Sequence, residues 1–193
     1  EFRRHGSEHV AYNSIVAGGA NACVLHHRAG NTELKNGDLC LIDAGCELQG
    51  YASDITRTFP VNGQFSPAQK AIYEVVLAAQ EAAAAQTREG RLFTDPHDAA
   101  VKVITQGLID LRLIQESSID AAIEQKLYTP FYMHRTSHWL GMDVHDVGDY
   151  RERSTQCEPA PPRTLLPNMV LTLEPGIYIR PSEAIPEIGR AHV

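Results

Sequence analysis

The chain has 193 residues, 43% hydrophobic and 21% charged, with a formal net charge of −7. That is the composition of one globular domain with ample core, and its sign argues against nucleic acid and anionic membrane as primary partners. No apolar run approaches the ~20 residues a membrane span needs.

Taken in order, Tyr12 to Val16 and Ala22 to His27 read as two short strands joined through Gly18-Gly19. Asn31 to Asp38 is polar turn material. Leu41 to Phe59 then reads as a hairpin turning at Glu47 to Gly50. Pairing Cys46 with Tyr51 sets Asp43 directly opposite Asp54, on one face, with Cα atoms roughly 4.5–5.5 Å apart. Like charges so placed repel. A divalent cation between them removes the conflict; a solvent-facing pair at a hairpin end is the equal alternative.

Ser66-Pro67-Ala68-Gln69 opens a helix with a capping box and Pro at its first position, and Ile72, Val75, Val76 and Ala79 form its stripe up to Glu89-Gly90. A second helix starts at Asp95-Pro96 with a stripe of Val101, Ile104, Leu108 and Leu111. A third, shorter one follows Ser117 or Ser118 and ends before Pro130. Residues 131–150 then carry His134, His138 and His145, with Gly141 and Gly148 interrupting any long helix. Met169 to Glu174 reads as a strand stopped by Pro175-Gly176, with Glu174 on the face of Thr172 and Val170.

Asp43, Asp54, His138 and Glu174 together make an oxygen-rich set with one imidazole, which suits Mn²⁺, Co²⁺ or Zn²⁺ better than Ca²⁺ or Mg²⁺. Two ions ~3.5–4 Å apart could clamp the oxygens of a hydrolytic displacement. His134 and His138 are four apart, but HExxH is absent, so a helical zinc pair is a weak reading. Cys23, Cys40, Cys46 and Cys157 lack CxxC spacing and read as reduced thiols, which places the chain in a reducing compartment, the cytoplasm. No basic-then-apolar leader is seen at the N-terminus, and Glu1-Phe2-Arg3-Arg4 has no initiator Met, so residues are expected upstream.

Three blocks, LIDAGCELQGYASDITRTFP (41–60), MHRTSHWLGMDVHDVG (133–148) and VLTLEPGIYI (170–179), resemble bacterial-type aminopeptidase P in order and spacing. That family consists of Xaa-Pro aminopeptidases among the dinuclear-metal pita-bread peptidases. The resemblance implies an α+β pita-bread fold, an antiparallel sheet flanked by helices, over residues 1–187. It implies hydrolysis of the bond before a proline at position two of a peptide, with two divalent ions, Mn²⁺ first and Co²⁺ or Zn²⁺ as substitutes. Asp43 would chelate one ion, Asp54 would bridge both, and His138 and Glu174 would complete the other. Glu174 would also take the proton of the attacking water. His26 and His145 would flank the substrate, one of them donating to the oxyanion, and His134 would sit near the leaving proline. Without that match each histidine reads as a packed imidazole, and His5, His9, His27 and His97 stay so. Ser137-His138-Trp139 favours aminopeptidase P over prolidase, an Xaa-Pro dipeptidase; a non-catalytic binding relative is the rival from outside enzymology. Homo-oligomers are expected of the full-length protein.

The family's fifth ligand is a bridging glutamate beyond a Gly-Ile-Arg-Ile-Glu-like strand, and Glu187 falls too early to be it. The chain is therefore expected to be C-terminally truncated and impaired in activity. Residues 188–193 (IGRAHV) are expected to be non-native, since a common sequencing-adapter string translates to the same six residues.

Overall fold

The computed structural model describes residues 1–153 and 159–180. Cys157, Glu187 and the tail 188–193 lie outside the described residues. The strands are β1 (His9–Val10), β2 (Ile15–Gly18), β3 (Leu39–Ala44), β4 (Cys46–Leu48), β5 (Tyr51–Ala52) and β6 (Ile55–Pro60), and the helices are α1 (Pro67–Gln86), α2 (Asp95–Asp110) and α3 (Ile119–Glu124). Both sheets are antiparallel, in orders β1-β4-β5 and β2-β3-β6.

The expected hairpin is present, two residues out of register. Leu48 pairs with Tyr51, so the turn is the two residues Gln49-Gly50, both at positive φ (53° and 83°). That is the backbone of a type I′ turn, whose twist matches the strands it joins. Asp43 consequently faces Thr56, and Asp54 falls diagonally beside it on the same face. A slip of two preserves the face, because side chains alternate with period two. Leu41, Asp43, Ile15 and Thr56 line one cavity, while Ile42 between them is 37% exposed.

The ribbon breaks at Gly45. A Cβ there would lie 1.8 Å from the Ser53 carbonyl oxygen and 2.6 Å from Tyr12 Cε1, so only glycine lets the partner strand and the Tyr12 ring approach this closely. The expected strand over Ala22 to His27 does not form. Gly19–Cys23 winds into a 3-10 turn beginning at Gly19, whose φ of +56° turns the chain out of the sheet.

Helix α1 begins with the expected capping box: the Ser66 side chain accepts from Gln69 N, and Gln69 Oε1 accepts from Ser66 N. It ends at Gln86, short of the expected Glu89-Gly90 stop. The Thr87 hydroxyl bonds the Ala83 carbonyl, and Gly90 N donates instead to Leu165 O. Ser118 caps α3. The core joins Ile72, Ala79 and Ala83 of α1 to Ala100, Val101, Ile104 and Leu108 of α2, closed by Phe131, Tyr132 and Ile177. Small residues on both helices bring the axes close: a Cβ on Gly107 would fall 2.5 Å from Val75 Cγ1.

On this helical layer lies a ribbon of two extended segments. Residues 169–174 form no regular strand; Leu171 makes one bridge with Trp139, and Leu140 N, Thr172 N and Glu174 N donate to the carbonyls of Val170, His138 and Thr136. Tyr178 N bonds Phe131 O, and Gln80 Nε2 reaches Leu173 O. The helices thus fix the two segments that carry His138 and Glu174.

Candidate metal centre

The hairpin face and the ribbon meet across a cavity of about 1420 Å³. Asp54, His138 and Glu174 bring one ligand atom each to within 4.8 Å of one another. His138 Nε2 is 3.2 Å from Asp54 Oδ2 and 3.0 Å from Glu174 Oε1. Its Nδ1 is 2.9 Å from the Trp139 carbonyl, which can only accept, so Nδ1 carries a hydrogen and Nε2 is the nitrogen that faces the carboxylates and could serve as a ligand. Thr172 ties the pair together: its hydroxyl donates to Glu174 Oε1 (2.8 Å) and accepts from His138 N (3.1 Å).

Asp43 joins this group through Tyr12. The Tyr12 hydroxyl is bonded to Asp43 Oδ1 and lies 3.0 Å from Asp54 Oδ1. Burial, with Asp54 and Glu174 adding like charge, pushes the Asp43 carboxyl up despite the hydrogen bonds from Tyr12 and Thr56. The bond to His138 holds Asp54 down against burial. Burial and the two aspartates raise the Tyr12 phenol well above its usual range, so it remains a donor. Burial disfavours charge on His138, yet Asp54 and Glu174 outweigh it and push the imidazole up to about 10. The two carboxylates against this imidazole therefore hold a proton on it when nothing else is bound. A divalent cation of intermediate hardness, one that takes carboxylate oxygens together with an imidazole, fits the same donors, with Nε2 able to supply the nitrogen once its proton is displaced.

The remaining expected residues share the cavity. The His145 ring meets the His138 ring edge-on, with centroids 4.5 Å apart. His134 Nε2 is 2.9 Å from the Tyr178 hydroxyl and its Nδ1 bonds the Arg135 carbonyl. His26 lies on the cavity wall. Two histidines expected to be ordinary, His27 and His97, also line it. Tyr12, Thr172 and His97 were missed, because each acts through a partner distant in the chain; only the shared face of Thr172 and Glu174 was visible locally.

A family model, metallopeptidase family M24, matches residues 1–192. The chain belongs to metallopeptidase family M24. Among M24 relatives it is 49% identical over 187 residues to an Xaa-Pro aminopeptidase of Haemophilus influenzae, covering 97% of this chain and 42% of that one. It is 47% identical over 188 residues to the Xaa-Pro aminopeptidase of Escherichia coli, covering 97% and 41%. It superposes on the solved aminopeptidase PepP of Pseudomonas aeruginosa with a TM-score of 0.88 at 54% identity, over 94% of this chain and 40% of that one. The chain thus spans about two fifths of the length of these relatives. Its mixed helices and antiparallel sheets are those of the pita-bread fold.

Proposed function

We propose that this M24 chain carries the metal-binding part of an Xaa-Pro aminopeptidase, which releases the first residue of peptides with proline second. The observation that carries the reading is the convergence of Asp54, His138 and Glu174, from three separate segments, on one cavity with Asp43 alongside. The four donors are proposed to hold two divalent ions, Mn²⁺ first and Co²⁺ or Zn²⁺ as substitutes. Bound there, such ions supply Lewis acidity, lowering the pKa of water and polarising the substrate carbonyl.

Around that chemistry the side chains divide the work. Glu174, oriented by the Thr172 hydroxyl, takes the proton of the attacking water. His145, packed against His138, donates to the carbonyl oxygen as it gains charge. His134, held by Tyr178, faces the leaving proline, and His26 faces the other flank of the substrate. A proline at position two has no amide hydrogen to grip and restricts the residue before it. A site for it must rely on shape and on donors to carbonyl oxygens, which the histidine-lined wall offers.

None of the helices among the described residues is long and apolar enough to cross a membrane. Action in the cytoplasm, and homo-oligomers of the intact protein, belong to the same proposal. The deciding assay offers the Mn²⁺-loaded intact protein Ala-Pro-Ala, Ala-Ala-Ala and Ala-Pro. Cleavage of the first alone is expected. Cleavage of the dipeptide alone would make the protein a prolidase, and equal cleavage of the two tripeptides would remove proline from the reading.

A further inference from the structure

The first turn of α2 sets His97 on the cavity wall together with Phe93, Thr94 and Arg135. His97 Nδ1 is 2.9 Å from Thr136 Oγ1, and the same oxygen is bonded to the Tyr132 hydroxyl. Tyr132 is 1% exposed and Thr136 is fully buried. The protons along this line can be ordered. Among the described residues the Tyr132 O–H has Thr136 as its acceptor, and a buried donor left unpaired costs on the order of 1–3 kcal/mol. Tyr132 therefore donates to Thr136, Thr136 donates to His97 Nδ1, and the neutral ring keeps its hydrogen on Nε2. With the hydrogen on Nδ1 instead, either the tyrosine proton or the buried Thr136 proton would lack an acceptor among the described residues. Burial first, then Arg135 and His134, push His97 down to about 4, so the ring stays neutral under ordinary conditions.

The position of this N–H donor matters. Thr136 stands two residues before His138 on the extended ribbon, since their carbonyls accept from Glu174 N and Thr172 N. Two extended residues span roughly 6.5–7 Å. In an extended peptide the carbonyl of the residue after the proline lies two residues beyond the scissile carbonyl, the same reach. Tyr132 is in ring contact with both His97 (5.8 Å between centroids) and His134 (5.1 Å), which puts His97 on the side of the cavity assigned to the leaving proline. Arg135 lines that side too, and no ion pair holds its guanidinium among the described residues.

We propose that His97 is a substrate-positioning residue: its Nε2–H donates to the main-chain oxygen of the residue that follows the proline, with Arg135 adding positive charge beside it. The proposal rests on the Xaa-Pro aminopeptidase reading and gives that site a third-residue subsite. The acceptor is a carbonyl in longer peptides and a carboxylate in tripeptides.

The test compares three probes with Mn²⁺-loaded intact protein: Ala-Pro-amide, which has no third residue, Ala-Pro-Ala-amide and Ala-Pro-Ala. His97→Phe is expected to lower the preference for Ala-Pro-Ala-amide over Ala-Pro-amide by about three- to tenfold, carried by KM, the range of one neutral hydrogen bond. His97→Gln, which retains an N–H donor, is expected to recover most of it. A larger loss on Ala-Pro-Ala than on its amide supports the subsite and names the carboxylate as the preferred acceptor; an equal loss on the two supports it through the carbonyl. A second readout needs no catalysis: calorimetric binding of Pro-Ala-amide to chelated protein, which His97→Phe should weaken by a similar factor. Equal losses on all three probes, or a fall in kcat alone, would make His97 structural and overturn the inference. A wild-type protein that cleaves no proline-second probe would instead overturn the reading beneath it.

Discussion

The Tyr12 hydroxyl stands between Asp43 and Asp54, with one proton to offer two carboxylates. It comes from the stretch between β1 and β2, and its ring rests where Gly45 lacks a side chain. The phenol therefore sets the spacing of two aspartates that the hairpin alone leaves in diagonal, repelling positions. Tyr12→Phe removes that tie while keeping the ring. Metal affinity of the intact protein should fall by about 10- to 100-fold, the usual cost of losing a partner behind a ligand. Calorimetric titration with Mn²⁺ checks it; unchanged affinity would mean that the aspartates hold their places unaided.

Gly45 itself tolerates no side chain. Gly45→Ala would drive a methyl group into the Ser53 carbonyl, and the hairpin must open to make room. The expected destabilisation is about 1–3 kcal/mol or more, read from urea unfolding, with loss of Mn²⁺ binding alongside. A stable variant that still binds metal would show the break at Gly45 to be incidental.

Divalent ions should stabilise the fold, since the donors converge only when it forms. At about 100 times Kd the gain is ~2.7 kcal/mol. Melting curves with Mn²⁺ and with a chelator should differ for the wild type and coincide for Asp54→Asn. A shift that survives Asp54→Asn would place the ion elsewhere.

Stability of the chelated protein should depend on pH in two opposing limbs. His97 is held at about 4, below its ordinary 6.5, so its contribution is complete above about 6.5 and is lost as pH falls towards 4. His138 is raised to about 10, so its contribution is complete below about 6.5 and is lost as pH rises through 10. Urea midpoints from pH 4 to 10 should peak near 6.5. His97→Gln should flatten the acid limb and leave the alkaline limb intact. An acid limb indifferent to this change would locate the responsible group elsewhere.

Ser66→Ala offers a contrast remote from the site. It removes the capping box of α1 and should cost ~1 kcal/mol, measured by thermal unfolding, with Mn²⁺ affinity unaltered. A matching loss of affinity would mean that α1 frays as far as Gln80, whose side chain supports Leu173.

Local patterns along the chain determined the parts whose physics is local. Ser66, Pro67 and Gln69 specify the start of α1 because a capping box closes within three residues, and Ser118 likewise starts α3. The period of two determined that Asp43 and Asp54 share a face, and that result survived a register error, because the slip was also two. The slip arose because Gln49 adopts positive φ, a preference the flanking residues do not announce. What only the tertiary structure decided is who meets whom across long separations. Tyr12 with Asp43 and Asp54, Thr172 with His138, and His97 with Thr136 are all set by packing that no periodicity encodes. A histidine at the start of an amphipathic helix looks the same whether it faces solvent or a cavity; the ribbon laid across α2 makes the difference.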